Sequence, residues 1–166
     1  MRPLFVAVLF AACLGCSRYP SHLSQTEQIQ AVIFEDLRTQ YLSPGHDGKN
    51  TYLIFLSLGA EQSDPSKDLL AYSVRTFSRT RPLSAAIGLD EYLPRWVSFG
   101  RGVVEKETGR PGAILWIDDF RIENPNLLKI RAREFTNGTA AEEFEYRVWL
   151  RDGKWRVLGR TTLSVS

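Results

Sequence analysis

The chain has 166 residues, 43% of them hydrophobic and 24% charged, a length and balance that bury one ordinary core and imply about one domain. Its formal charge of +2 is too small to mark a nucleic-acid partner, because neutralising a phosphate backbone takes a concentrated basic surface. No glycine-rich nucleotide loop, metal-ligand cluster or catalytic constellation stands out along the chain, so neither a cofactor nor a bound metal is expected.

Met1-Arg2 supplies one positive charge, and Leu4 to Leu14 forms an uncharged apolar run with Phe5, Val6, Val8, Leu9 and Phe10, the n-region and h-region of a secretory signal. The run is shorter than the ~20 residues with which a helix crosses the hydrocarbon layer, so it reads as a signal and not as a permanent anchor. It ends in Leu14-Gly15-Cys16-Ser17, which resembles the lipobox of bacterial lipoproteins, where small residues precede a cysteine whose thiol receives a diacylglycerol before cleavage. The resemblance covers about the first 16 residues and implies a signal peptide over 1–15, lipidation at Cys16, a lipidated tether over 16–23 and a single domain over 24–166. It departs from the family pattern at Cys13, where an aliphatic residue is usual. Phe10-Ala11-Ala12-Cys13 is a second lipobox with a shorter signal, which keeps Cys13 open as the modified residue. Ser17 stands where an inner-membrane retention signal has Asp, so the resemblance implies a protein of the bacterial cell envelope, held by its lipid in the outer membrane rather than the inner. Two other readings of this segment remain: a soluble secreted protein cut by the ordinary signal peptidase, or a cytosolic protein with an apolar first strand.

Both cysteines lie at this boundary, so cleavage before Cys16 leaves a domain without a free thiol or a disulfide, and removes thiol catalysis and Cys-ligated zinc from consideration. Cleavage also removes Arg2 and leaves 20 basic against 19 acidic residues.

Ser24 and Glu27 then form a capping-box pair. Ile29, Val32, Ile33, Leu37 and Tyr41 recur at helical spacing, which predicts a helix over about 25–42, ended by the loop Ser43-Pro44-Gly45-His46-Asp47-Gly48. The apolar stretch from Thr51 to Leu58 predicts a strand buried on both faces. Asp64-Pro65 offers an N-cap and a first-turn proline for a short helix over about 65–75. A further strand is expected at Trp96 to Glu105. Residues 113–123, 127–136, 140–151 and 154–165 alternate as four strands, separated by the turn residues Asn124-Pro125-Asn126, Asn137-Gly138-Thr139 and Asp152-Gly153. A two-residue turn at Asp152-Gly153 opposes Leu150 to Trp155, Val148 to Val157, Trp149 to Arg156 and Glu145 to Arg160. A three-residue loop at Asn137 opposes Arg133 to Glu143 and Arg131 to Glu145.

These elements predict an α+β fold, with a long N-terminal helix packed on an antiparallel sheet that ends in a four-strand meander. The apolar face would hold Leu128, Ile130, Phe144, Tyr146, Val148, Leu150, Trp155 and Val157. The order of elements broadly resembles the helix-plus-curved-sheet rolls of the cystatin and SnoaL-like type, a likeness of topology that carries no motif and no function.

Candidate chemistry is sparse. Asp118-Asp119 interrupts an apolar strand and is an acid–base or cation-holding candidate, although neighbours on a strand point to opposite faces unless a bulge intervenes. His46-Asp47 is a second acid–base candidate, placed in a Pro-Gly-rich loop where solvation is the simpler account. His22 sits in the tether. Arg75, Arg79, Arg81, Arg95 and Arg101 make mid-chain basic and suit an anionic ligand or ordinary solvation. The outward face of the sheet places Leu127, Trp149 and Leu158 among Lys129, Arg147, Arg151 and Arg156. There Trp149, Arg147, Arg151 and Arg156 form the candidate binding surface, since interfaces favour exposed aromatic and Arg side chains.

Two functional classes follow. The first is a noncatalytic binding or structural domain in the envelope, with a protein or small-ligand partner. The second is a small cofactor-free hydrolase or isomerase whose pocket lies between helix and sheet. The shortage of catalytic residue types favours the first.

Overall fold

The computed structural model describes residues 22–39, 52–86, 102–137 and 140–165. Cys13, Cys16, the tether up to Ser21, the loop with His46 and Asp47, Arg95, Arg101 and most of the strand expected at 96–105 lie outside the described residues. The elements are α1 (Gln25–Thr39), β1 (Leu53–Leu58), α2 (Lys67–Thr76), β2 (Thr80–Pro82), a 3-10 turn (Leu83–Ala85), β3 (Val103–Val104), β4 (Pro111–Asn124), β5 (Leu127–Asn137), β6 (Ala140–Arg151) and β7 (Lys154–Val165).

The expected architecture is overturned. The strands form one seven-stranded sheet in the order β2-β1-β4-β5-β6-β7, with β3 beside β4. It is a mixed sheet and not an antiparallel one, because β1 runs parallel to both β2 and β4. Both helices are short, 15 and 10 residues, and among the described residues no long N-terminal helix lies on the sheet. The likeness to cystatin and SnoaL-like rolls rested on that topology and falls with it. The cause lies in the middle of the chain, where α2 connects β1 to β2 as a crossover and returns the chain in the same direction. β1 is interior, and its residues Leu53 to Ser57 are buried on both faces, so its apolar run fits a parallel neighbour on each side.

The last four strands alternate as their sequence demands. β6 and β7 meet at a two-residue turn in which Asp152 (φ 54) and Gly153 (φ 68) are both left-handed, the geometry that matches strand twist. The pairs Leu150–Trp155, Trp149–Arg156 and Val148–Val157 form as expected. Beyond them the register shifts at Leu158, so Arg160 opposes Tyr146 and not Glu145. In β5–β6 the pairs Arg133–Glu143 and Arg131–Glu145 form, but Asn137 pairs with Ala140 and a register shift lies between Phe135 and Asn137. A bulge near Thr136 thus does what the expected three-residue loop would have done.

Two apolar clusters flank the sheet. One joins Ile29, Val32, Ile33, Phe34 and Leu37 of α1 and Leu69 of α2 to Ile54, Leu56, Leu115, Ile117, Ile130, Phe144, Tyr146, Val148 and Trp155. The other, smaller, gathers Leu53, Phe55, Leu83, Ala86, Val103 and Ile114 on the opposite face. Here Phe55 lies against Gly112, where an added Cβ would sit 2.4 Å from its ring and 2.7 Å from the Leu53 carbonyl, so this contact requires glycine.

The two helix starts are tied by one carboxylate. Glu27 accepts a hydrogen bond from the Ser24 amide (2.7 Å) and donates its own amide to the Ser24 hydroxyl (3.3 Å), completing the capping box. Its other oxygen accepts the Ser66 hydroxyl. Ser66, and not Asp64, is the N-cap of α2, accepting from the Leu69 amide. Asp64 instead accepts from the Ser84 amide (2.8 Å) at the 3-10 turn. The bond from Ser66, followed by those from Ser24, holds the Glu27 carboxyl below its ordinary value. A carboxylate with a lowered folded pKa stabilises above its unfolded value and loses that contribution as pH falls through the folded one. Glu27→Gln is therefore expected to lower Tm at pH 7 by about 2–4 °C, the consequence of losing a cap worth about 1 kcal/mol in a chain of this size. Thermal melts followed by circular dichroism should show the deficit shrinking below about pH 4.5. A deficit that stays constant into acid would show that the charge is not what ties the helix starts.

Candidate functional site

On the face opposite the helices, one cross-strand row runs Ser57–Trp116–Arg133–Glu143–Ser164 through β1, β4, β5, β6 and β7. The neighbouring row runs Phe55–Ile114–Phe135–Ala141. Partners in a row point to the same face, and between these rows lies a pocket of about 180 Å³. Ile114, Trp116, Phe135 and Ala141 give it apolar walls, Arg133 and Glu143 supply charge, and Ser57 and Gln62 line it as uncharged polar side chains. Glu134 and Glu142 also border it. They oppose each other one position along the strands, and alternation directs their side chains to the helix side of the sheet.

The walls are fixed from behind. The Trp116 indole N–H donates to the Gly59 carbonyl (2.8 Å), pinning the ring to the turn after β1. That turn closes with Leu58 and Ser63 exchanging amide–carbonyl bonds of 2.9 Å. Gln62 within it has φ 56, a left-handed conformation that costs a side-chain-bearing residue about 1 kcal/mol. The Arg133 guanidinium lies 4.9 Å from the Trp116 ring centroid and pairs with Asp118 (3.0 Å) and, more loosely, Glu143 (3.8 Å). Glu143 in turn takes Arg131 at 3.1 Å. Arg133 and Glu143, the charged side chains of the outer row, thus have their counter-charges in place.

Ser57 differs. It is 1% exposed, and its hydroxyl has no hydrogen-bond partner among the described residues. A buried hydroxyl without a partner costs about 1–3 kcal/mol, and this one belongs to a residue that lines the pocket.

The residues singled out from sequence distribute as follows. Asp118 is the extra residue of a bulge between Ile117 and Asp119, so the two carboxylates share the outer face instead of alternating. Asp118 pairs with Arg133 and Asp119 with Arg121 (3.2 Å). Both act as counter-ions, and neither lines the pocket. Trp149, Arg147 and Arg156 lie on the same outer face, with Trp149 opposite Leu127 and Arg156 and with Arg147 opposite Lys129 and Gly159. Arg151 stacks 5.3 Å from the Trp149 centroid and approaches Asp152 at 3.7 Å. Arg75, Arg79 and Arg81 do not converge. Arg75 bonds the Ala71 carbonyl, Arg79 lies 4.5 Å from the Phe77 centroid, and Arg81 pairs with Glu105 at 3.0 Å. Sequence reasoning passed over Ser57, Gln62, Trp116 and Arg133. The signal available was the lone hydroxyl inside the apolar run of β1.

On the helix side, the space between α1, α2 and β1 amounts to about 20 Å³, room for roughly one water. A wider hollow of about 500 Å³ opens between the C-terminal half of α1 and the start of β7. Its carboxylate Asp36 is already engaged, accepting from the Tyr146 hydroxyl (2.9 Å) and the Arg160 guanidinium (3.3 Å). Burial, with Asp36 beside it, holds the Tyr146 phenol well above its ordinary pKa, so it stays protonated and acts as a donor. Among the described residues no three His, Cys, Asp or Glu side chains gather in a way that would hold a metal ion.

A double-mutant cycle on Asp118→Asn and Arg133→Met is expected to give a coupling of about 1 kcal/mol in urea unfolding, as for a half-buried ion pair. Additive single effects would show that Asp118 is not the partner that holds Arg133 over Trp116.

Compared with known proteins, the chain matches no family model, no curated protein and no solved structure, so this site is read from its own geometry.

Proposed function

We propose that this chain is a lipoprotein of the bacterial cell envelope, anchored through Cys16, whose domain is a noncatalytic binding module that uses the sheet face turned away from its helices. One contrast carries the reading. The helix side leaves about 20 Å³ between α1, α2 and β1 and, beside α1, an open hollow of about 500 Å³ whose Asp36 is already bonded to Tyr146 and Arg160, whereas the outer face keeps an apolar-walled pocket of about 180 Å³ lined by Ser57, whose buried hydroxyl is unpartnered among the described residues. Unfilled apolar volume beside a few polar groups is the usual form of a binding site. Arg133 and Glu143 beside it are paired with Asp118, with Arg131 and with each other, and hold shape. The hydrolase reading looked to a pocket between helix and sheet containing Asp118 or Asp119, and both lie on the other face as counter-ions.

The address and the binding face are tested separately. Intact mass spectrometry of the membrane-fraction protein should give the mass of residues 16–166 plus acyl chains, and Cys16→Ser should lose it. Loss in Cys13→Ser with retention in Cys16→Ser would move the attachment to Cys13, and an unmodified full-length mass would overturn the anchoring. For the face, titration with indole followed by amide NMR should move the resonances of Ser57, Trp116, Arg133 and Phe135. Shifts confined to α1 and α2 would overturn the assignment of the outer face.

A further inference from the structure

The outer-face pocket has a size, a charge state and a polar end that together select a ligand. Its volume of about 180 Å³ is close to the ~150 Å³ of an apolar cavity that accepts a benzene ring, and well below the several hundred Å³ of a cofactor or nucleotide site. Ile114, Phe135 and Ala141 on one row and the Trp116 indole on the next offer the apolar and π surfaces against which a flat ring packs.

The charge state follows from the ion pairs. An anionic ligand must compete with Asp118 and Glu143 for Arg133, and a cationic one must compete with Arg133 and Arg131 for Glu143. An uncharged ring disturbs neither pair, and a charge taken into such a site without a partner is costly. The polar end is set by Ser57, whose hydroxyl has no partner among the described residues and is able both to donate and to accept. Gln62, on the turn directly after the strand that carries Ser57, adds a carboxamide with the same dual capacity. A left-handed residue other than glycine costs stability, and such residues concentrate at ligand clamps.

Resting on the reading of this face as the binding face, we propose that the pocket takes an uncharged aromatic ring bearing one hydroxyl: a phenol, presented either as a free small molecule or as a tyrosine side chain. The ring fills the space between the two rows, and its hydroxyl bonds Ser57.

The test is an NMR titration of the full domain with p-cresol, toluene, 4-methylbenzoate, 4-methylbenzylamine and N-acetyltyrosinamide. p-Cresol is expected to bind about fivefold tighter than toluene, the worth of one ordinary hydrogen bond, and both charged rings to bind no better than toluene. Ser57→Ala, which removes a hydroxyl without a partner among the described residues and so leaves the fold intact, should abolish the preference for p-cresol and leave toluene unchanged. Ala141→Leu should exclude every ring. N-acetyltyrosinamide binding as well as p-cresol identifies a presented tyrosine as the source, and p-cresol binding alone identifies a free phenol. Equal affinity for p-cresol and toluene, a tighter charged ring, or p-cresol binding unmoved by Ala141→Leu would overturn the proposal. If no ring shifts any outer-face resonance, the binding-face reading itself falls. If rings bind there but the charged ones bind best, only the phenol assignment falls.

Discussion

A strand turns successive side chains to opposite faces, so one extra residue inverts everything beyond it. The long strands of this sheet contain such residues at Asp118 in β4 and at Leu158 and Leu163 in β7, where the cross-strand register slips by one. The slip at Asp118 places that carboxylate on the outer face beside Arg133, and Arg133 in turn covers the Trp116 indole. The slip at Leu158 turns Arg160 inward, where it meets Tyr146 and Asp36 beneath α1. Without the slip at Leu158 Arg160 would oppose Glu145 on the outer row, and Asp36 would face the Tyr146 hydroxyl alone.

The inward arrangement also explains how short helices hold to so long a sheet. Tyr146 is fully buried, and its hydroxyl needs an acceptor in a place that water does not reach. Asp36 supplies one from α1, and Arg160 supplies the counter-charge from β7. Burial works against the Arg160 charge, but Tyr146 and Asp36 outweigh it and its pKa is raised. α1 is thereby joined to the sequence-distant β6–β7 hairpin at one polar point within a surface that is otherwise apolar. At the other end of α1, Glu27 performs a comparable service by linking the starts of α1 and α2. Each helix end is fixed by a specific bond, and the apolar stripe between has only to fill space.

Much of the local structure was readable because it is locally determined. Asp152-Gly153 names its own turn, and from that turn the pairs Leu150–Trp155 and Val148–Val157 follow by counting. The eight residues assigned to the apolar face of the meander belong to, or pack against, the larger cluster. Counting fails at a bulge, which is why Arg160 was paired with Glu145 on paper and lies opposite Tyr146 in the sheet. It fails again at β1. A run such as Leu53-Ile54-Phe55-Leu56 states that a strand is buried on both faces and says nothing of the direction of its neighbours. That direction is set by α2, whose crossover leaves no mark within β1 itself, and so a mixed sheet was read as an antiparallel one.

The same blindness hid the pocket. Each of its walls has an ordinary explanation in sequence: Trp116 and Phe135 as alternating strand residues, Arg133 as a solvated charge, Ser57 as a tolerated small residue in an apolar strand. Only the rows across β1, β4, β5 and β6 bring them together. Once assembled, the outer face differs from the helix side in what it leaves undone. The side chains of α1 and α2 close the space over β1 almost completely, and the hollow between α1 and β7 has its Asp36 engaged by Tyr146 and Arg160. The outer face pairs Arg133 and Glu143 with their counter-charges and still retains unfilled volume, a left-handed Gln62 and a hydroxyl buried to 1% exposure. An alanine at position 57 and a glycine at position 62 would each fit the backbone at lower cost. Neither feature strengthens the fold, and both border the same pocket, so a guest in that pocket is what would recover the stability they give up.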